Sequence, residues 1–431
     1  MPVNIQIPMF EKHVLKNGLQ VITAPLKEIK VVTIFVLFGV GSRFETRKIR
    51  GLSHFIEHMM FKGTKKRPNA ASLIRAMDSL GAVYNAFTAK DMTAYHIKVD
   101  QSHAGVAMEI ISDMLQNSLV EAKEVEQEKG VIIEEINMRE DTPMIHVEDV
   151  FEENLFGDQP IGWDTAGTRD SIRDMKRQNF VDYIKRYYTA GNSVVVVAGA
   201  IDPKEALSLA EKNFGKLRKT KRSQPVKASQ RLTHRQADLI HRESEQSHLV
   251  IGFPAYPYKH PLRQALKVMN VALGGNMSSR LFSLIREKHG MAYYIRSSTN
   301  PYSDTGTFTI HAGLDNKRVD KAIGLIVREL KKLTDKSLGK EELRRAKNFL
   351  KGQMAIQLEE QENLADWLAR RCLMEDRVIT VDEHLEEIEK VTAKDIRRVA
   401  KEVIRQSKMN LTMIGPFRDQ KKFLDKLKIS G

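Results

Sequence analysis

His54 and His58 stand four residues apart in the run 53–61, SHFIEHMMF, with Glu57 immediately before the second histidine. On a helix, residues i and i+4 share a face about one turn apart, so both imidazoles can aim a nitrogen at one cation. That is half of a zinc site. Glu57, three residues after the first histidine, emerges near the same edge, where it can hold a water on the metal without being a ligand. Unpartnered in an apolar run, these three titratable groups would cost several kcal/mol, so the spacing predicts that they have partners.

A catalytic zinc usually takes three protein ligands and keeps a fourth position for water. Cys372 is the only cysteine, which excludes an internal disulfide and any cysteine-rich metal site, so a metal must use His and carboxylate. The acidic stretch 121–140, EAKEVEQEKGVIIEEINMRE, is the best place for the third ligand. Glu128 and Glu135 are nearly two turns apart and share a face with Val131 and Ile132, whereas Glu134 is rotated away by about 100°. For an acid-rich helix a solvated face is the simpler reading, and spacing alone leaves it standing. The motif H-x-x-E-H inverts the commoner H-E-x-x-H zinc-protease helix, yet five residues also fit a helix with incidental histidines.

The elements that must hold these residues follow from the whole chain. Its 431 residues exceed what one core usually organises, and two domains of about 200 residues are the natural prior. A composition of 42% hydrophobic and 29% charged residues is that of a folded protein. LQVIT (19–23) and VVTIFVLFGV (31–40) read as paired strands and NSVVVVAGAID (192–202) as another, with helical spacing over 51–61, 70–80, 103–119, 121–140 and 170–188. The second half reuses the scheme. SLIRAMDSLGAVYNAFTAKDMTAYHIKV from Ser72 is echoed from Ser283, and VVVVAG ending at Gly199 by LTMIG ending at Gly415, at offsets of 211 and 216 residues. An internal duplication of an α+β unit explains both.

The net charge of +14 invites a nucleic-acid reading, but the excess is local. Residues 216–235 hold eight Lys or Arg and no Asp or Glu, in a polar stretch with Pro225 and no aromatic residue for base stacking. This suits a solvated linker at the seam of the duplication, between repeats at 1–215 and 236–431. The longest apolar run, 31–40, is about half of what a spanning helix needs. No membrane segment or targeting signal is read, and a cytoplasmic location is the expectation.

HFIEHMMFKGT (54–64), followed 77 residues after His58 by the Glu135 of EKGVIIEE, resembles the pitrilysin family of zinc peptidases, and within it the half-size bacterial branch similar to the beta subunit of mitochondrial processing peptidase. The resemblance covers nearly the whole chain. It implies that Glu135 is the third ligand, through the second glutamate of an E-x6-E element, and that Glu128 is an acid supporting the site. It implies one Zn2+ per chain, with Glu57 as general base. NAFTAKDMTAYHIKV (85–99) resembles the family's strand beside the zinc, where substrate backbone pairs, which makes Asn85, Ala86, Phe87 and Thr88 substrate-binding candidates. GGNMSSRLFSLIREKHGMAYYI (274–295) resembles the element carrying an Arg and a Tyr seven residues apart, here Arg286 and Tyr293, which would bind the substrate carbonyl or its oxyanion.

The fold implied is α+β: two homologous repeats, each a mainly antiparallel sheet covered by helices, together forming half of a clamshell. The expected activity is zinc-dependent cleavage of unstructured or targeting-peptide-like substrates bound in extended form. The expected assembly is a homodimer with shared active sites, and nucleic acid and membrane are not expected partners. Two rival readings are a catalytically silent scaffold subunit, against which all four zinc-site residues argue, and a nucleic-acid-binding protein resting on the basic stretch.

Overall fold

The computed structural model describes residues 10–229 and 236–429. Its first sheet has six strands, β1 (Glu11–Val14), β2 (Gln20–Pro25), β3 (Val31–Phe38), β4 (Val83–Thr88), β5 (Thr93–Asp100) and β6 (Ser193–Gly199), in the order β1-β2-β6-β3-β5-β4. Strand β6 runs parallel to β2, and every other pair is antiparallel. The strands read as a pair, β2 and β3, therefore do not pair with each other. β6 separates them, because SVVVVAG is buried at every position and only the centre of a sheet covered on both faces accepts such a strand.

The second sheet has β7 (Gln236–His241), β8 (Gln246–Ala255), β9 (Ala292–Pro301), β10 (Gly306–Asp315) and β11 (Asn410–Gly415), in the order β7-β11-β8-β10-β9. One parallel pair, β7 with β11, again stands beside antiparallel ones. The connectivity is that of β2-β6-β3-β5-β4, so the duplication legible in the sequence is a duplication of topology. Strands β4 and β9 occupy the same place in the two repeats, each at an open edge. Gly199 and Gly415 end the matching strands β6 and β11.

Two compact units form, and neither is a continuous stretch of chain. One comprises the residues up to Asn137 with Trp163–Val226 and Ala355–Val381, and the other Met138–Gly162, Lys227–Met354 and the residues from Asp382 on. The helix Pro143–Phe156, from the first half of the sequence, packs on β8 and β11 of the second sheet. It lies so close that a Cβ on Gly252 would sit 2.6 Å from the Phe151 ring. In exchange, the helix Gln361–Met374 buries Leu364, Leu368 and Leu373 in the first unit, against β3 and β6. Periodicity gives neither exchange, because which sheet an apolar helix face covers is decided by tertiary packing.

One further expectation is corrected. The helical stretch 170–188 is broken into Arg169–Asp174 and Arg177–Tyr187, since Met175 and Lys176 turn extended and Lys176 starts a new helix. The basic stretch, read as a solvated linker, is mostly exposed or half-buried over its described part and is anchored at several points. Arg218 O accepts from Ala190 N at 3.0 Å, Arg222 pairs with Asp376 at 2.8 Å, and Val226 O accepts from buried Arg43 at 2.9 Å. A Cβ on Gly191 would lie 1.8 Å from Thr220 O, so only glycine admits the strap there. Its end, 230–235, lies outside the described residues.

Candidate metal centre

The histidines lie on the helix Leu52–Met59, which turns Leu52, Phe55, Ile56 and Met59 into the core beneath the first sheet. Its start is held from several sides. Gly51 takes φ 88°, and a side chain there would meet Ala166 O at 2.4 Å. Glu45, only 3% exposed, accepts from Gly51 N at 2.7 Å and from Ser53 N at 2.6 Å, so its two carboxyl oxygens cap amides that the helix leaves unsatisfied. Burial pushes the Glu45 carboxyl up to about 8, against the hydrogen bonds from Ser53 and Gly51 and the charge of Lys90.

A testable consequence follows from that raised value. The folded chain holds the Glu45 proton more tightly than the unfolded chain does, so this contribution to stability is complete below the ordinary 4.5 and is lost as pH rises through about 8. Glu45→Gln has no proton to lose. Thermal unfolding of the metal-free proteins at about pH 5 and about pH 9 is expected to show a steeper loss for the wild type, by on the order of a few kcal/mol. Parallel profiles would show that Glu45 does not titrate in this range.

The helix Ala122–Asp141 brings the carboxylates. Its buried stripe is Val125, Glu128, Ile132 and Ile136. Val131, read as part of that stripe, is 51% exposed. At about 100° per residue the stripe centres between Glu128 and Ile136, which leaves Glu135 on its shoulder about 65° away and Val131 about 105° away. Glu134 is exposed and Glu135 half-buried.

His54 Nε2 and His58 Nε2 are 3.3 Å apart, and Glu135 Oε2 lies 3.5 Å from the first and 3.7 Å from the second. The two distances to Glu135 are long for hydrogen bonds but right for atoms sharing one ion. Bonds of about 2.0–2.2 Å to tetrahedral zinc put neighbouring ligand atoms about 3.3–3.6 Å apart. The residues thus fit a three-ligand zinc. Among the described residues this is the group of three His, Cys, Asp or Glu side chains that can hold a metal ion.

Behind it, Glu128 Oε1 is 2.9 Å from His58 Nδ1 and its other oxygen takes the Lys62 ammonium. Burial pushes the Glu128 carboxyl up, but the hydrogen bonds from His58 and Lys62 outweigh it and hold the group below the usual value. An anionic partner keeps the proton on Nδ1 and leaves the Nε2 lone pair for a metal. Burial disfavours the charged His58 ring, yet its bond to Glu128 and the charges of Glu128, Glu135 and Glu57 raise it above the ordinary histidine value. Such a cluster attracts a cation. Glu57 is not one of the three clustered side chains, but His58 and Glu135 both act on its carboxyl electrostatically. Burial lifts its carboxyl above the ordinary range, assisted by Glu135 and opposed by Thr88 and His58.

Strand β4 closes the first sheet and pairs with β5 in the register Asn85 with His96, Ala86 with Tyr95, Phe87 with Ala94 and Thr88 with Thr93. Ala86 N donates to Asn85 Oδ1 at 2.9 Å, and the Phe87 ring carries the Arg370 guanidinium at 5.1 Å. The Thr88 side chain is engaged elsewhere, 2.5 Å from Glu57 Oε2. Arg286 and Tyr293 belong to the second unit. Arg286 sits in a π-helical turn, Phe282–Lys288, with its guanidinium 5.0 Å above the Phe282 ring, and Tyr293 is 59% exposed on the edge strand β9. In the duplication Arg286 corresponds to Arg75, on the helix Ala70–Asp78 that precedes β4.

Comparison with known proteins gives two family matches in tandem, to the insulinase peptidase family M16 over residues 20–169 and to the M16 inactive domain over 174–350. A zinc protease of Streptomyces coelicolor is 34% identical over 412 residues, covering 94% of this chain and 89% of that protein. The chain belongs to the M16 peptidase family. The zinc protease YmxG of Bacillus subtilis is 31% identical and matches 95% of this chain and 98% of its own. Among solved structures, a protease from Helicobacter pylori superposes with a TM-score of 0.88 at 24% identity, over 95% of this chain and 100% of that one. The M16 peptidase is a half-size zinc metallopeptidase of the pitrilysin type.

Two residues and one contact around this M16 peptidase's site have no counterpart in the sequence reading. Lys62 lies three residues beyond the end of the helix Leu52–Met59, in the turn that follows it, and reaches Glu128 from there. Glu45 and the contact of Thr88 with Glu57 carry no signal, since each is fixed by how separate elements meet.

Proposed function

We infer that His54, His58 and Glu135 hold one zinc ion per chain and that Glu57 is the general base of peptide-bond hydrolysis. The observation that carries this is the spacing of the three ligand atoms, 3.3 to 3.7 Å, with His58 and Glu135 both acting electrostatically on the Glu57 carboxyl. Zinc bound there supplies Lewis acidity, which acidifies a water and polarises the scissile carbonyl. Glu57 takes the attacking water's proton and passes it to the leaving amine as the C–N bond breaks; burial brings its basicity closer to neutral pH, where a base works best. Glu128 and Lys62 keep His58 in the tautomer that offers Nε2.

The substrates in this reading are unstructured peptides that add as a strand to the open edge of β4. Asn85 then gives up the Ala86 N–H, and backbone pairing replaces it, so recognition is loose in sequence while folded proteins resist. Phe87 and Thr88 flank that edge. Arg286 and Tyr293 donate hydrogen bonds to the carbonyl and to the oxyanion that develops on it. We place them in a homodimer whose two copies complete each other's sites.

The metal assignment is tested by comparing Glu135→Gln with Glu134→Gln. The first exchanges an anionic oxygen aimed at the histidine nitrogens for a neutral amide, and after dialysis it is expected to lose most of its zinc. The second alters an exposed side chain and is expected to keep wild-type zinc content. Elemental analysis of both proteins decides it, and the reverse order would remove Glu135 from the site.

A further inference from the structure

We propose that Thr88, the last residue of the open edge strand, is a positioning residue that orients the Glu57 carboxylate for proton transfer. This rests on Glu57 being the base. The Thr88 hydroxyl lies 2.5 Å from Glu57 Oε2 and 3.5 Å from Ser53 O. Both are acceptors and the hydroxyl has one proton, so the short contact to a charged oxygen takes it. With Oε2 claimed, the rotation of the carboxylate is set and Oε1 is the oxygen presented to a water.

The hydroxyl is delivered from a rigid place. Thr88 pairs with Thr93 across the hairpin, and buried Thr93 bonds Val40 O at 2.9 Å. The hairpin turn is closed by Ala89 N to Met92 O at 2.8 Å and is gripped from outside by Ser42 N to Ala89 O at 3.1 Å and Arg43 N to Lys90 O at 2.9 Å. Gly41 permits that grip, because a Cβ there would lie 2.0 Å from Ala89 O. A β-branched side chain on such a backbone has few rotamers. A catalytic group held by a partner on a rigid element keeps its geometry between turnovers. The same residue ends the edge where substrate is expected to pair, so the strand that binds peptide also aims the base.

Thr88→Val keeps the shape and removes the donor. It is expected to retain wild-type zinc content and a KM within about twofold, while kcat falls about tenfold, the effect of one hydrogen bond to a charged group. Thr88→Ser, which keeps the hydroxyl, is expected to recover most of kcat. In a Glu57→Gln background the valine change is expected to add no further loss, because its effect runs through the carboxylate. Wild-type kcat in Thr88→Val, a defect confined to KM, a serine variant as impaired as the valine one, or additive losses would each overturn the proposal. The two readings fail separately. Turnover near the wild-type rate by Glu57→Gln removes the base itself, whereas an inactive Glu57→Gln beside a fully active Thr88→Val removes only the positioning role.

Discussion

Glu57→Gln is expected to keep its zinc and its fold and to lose peptide turnover by about a thousandfold or more. The amide matches the carboxyl in shape, and its oxygen can still accept from Thr88, now 2.5 Å from Oε2. What it cannot do is accept a proton at neutral pH, so the water beside it stays a poor nucleophile and the leaving amine has no acid. Zinc should be retained because Glu57 is not one of the three atoms that converge on the site. The fold should be retained because burial disfavours the charge on this carboxyl, and a neutral amide of the same shape carries none. The measurement is paired: zinc content by elemental analysis, and cleavage of a quenched fluorescent peptide with and without chelator. A variant that carries zinc and cleaves at nearly the wild-type rate would take the role of base away from Glu57.

The parts of this site that the sequence discloses are those governed by spacing within one element. His54 and His58 meet because i and i+4 always meet on a helix, and the second sheet repeats the first because the same pattern of strands recurs about 211 residues on. Glu135 is a different case. It lies on the shoulder of a stripe centred on Glu128, Ile132 and Ile136, where periodicity alone favours a solvated carboxylate, and only the resemblance to a family singles it out. The exchanged helices, the insertion of β6 between β2 and β3, and the bonds of Glu45 and Thr88 to the histidine helix are settled when separate elements dock. Thr88 reaches Glu57 across 31 residues because β4 ends beside that helix, and no local pattern encodes where a strand ends.

The second large effect concerns the origin of Arg286 and Tyr293. They stand in the second repeat, on the turn and edge strand that correspond to the helix and edge strand of the first. If a second copy completes each site, Glu57→Gln and the double variant Arg286→Ala/Tyr293→Phe are each inactive alone but complement when mixed. In a mixed dimer one site then combines the altered base with the altered Arg/Tyr pair, and the other combines an intact base with an intact pair. Each mixed dimer should carry about half the wild-type activity. After random exchange, in which half of the dimers are mixed, the pool should reach about a quarter. If the pair acts within its own chain, every site in a mixed dimer keeps one lesion and nothing returns. The experiment needs exchange to be demonstrated independently, for instance by energy transfer between differently labelled copies. Proven exchange without recovery would rule out the shared-site dimer and leave the zinc assignment untouched, because His54, His58 and Glu135 all belong to one unit of one chain.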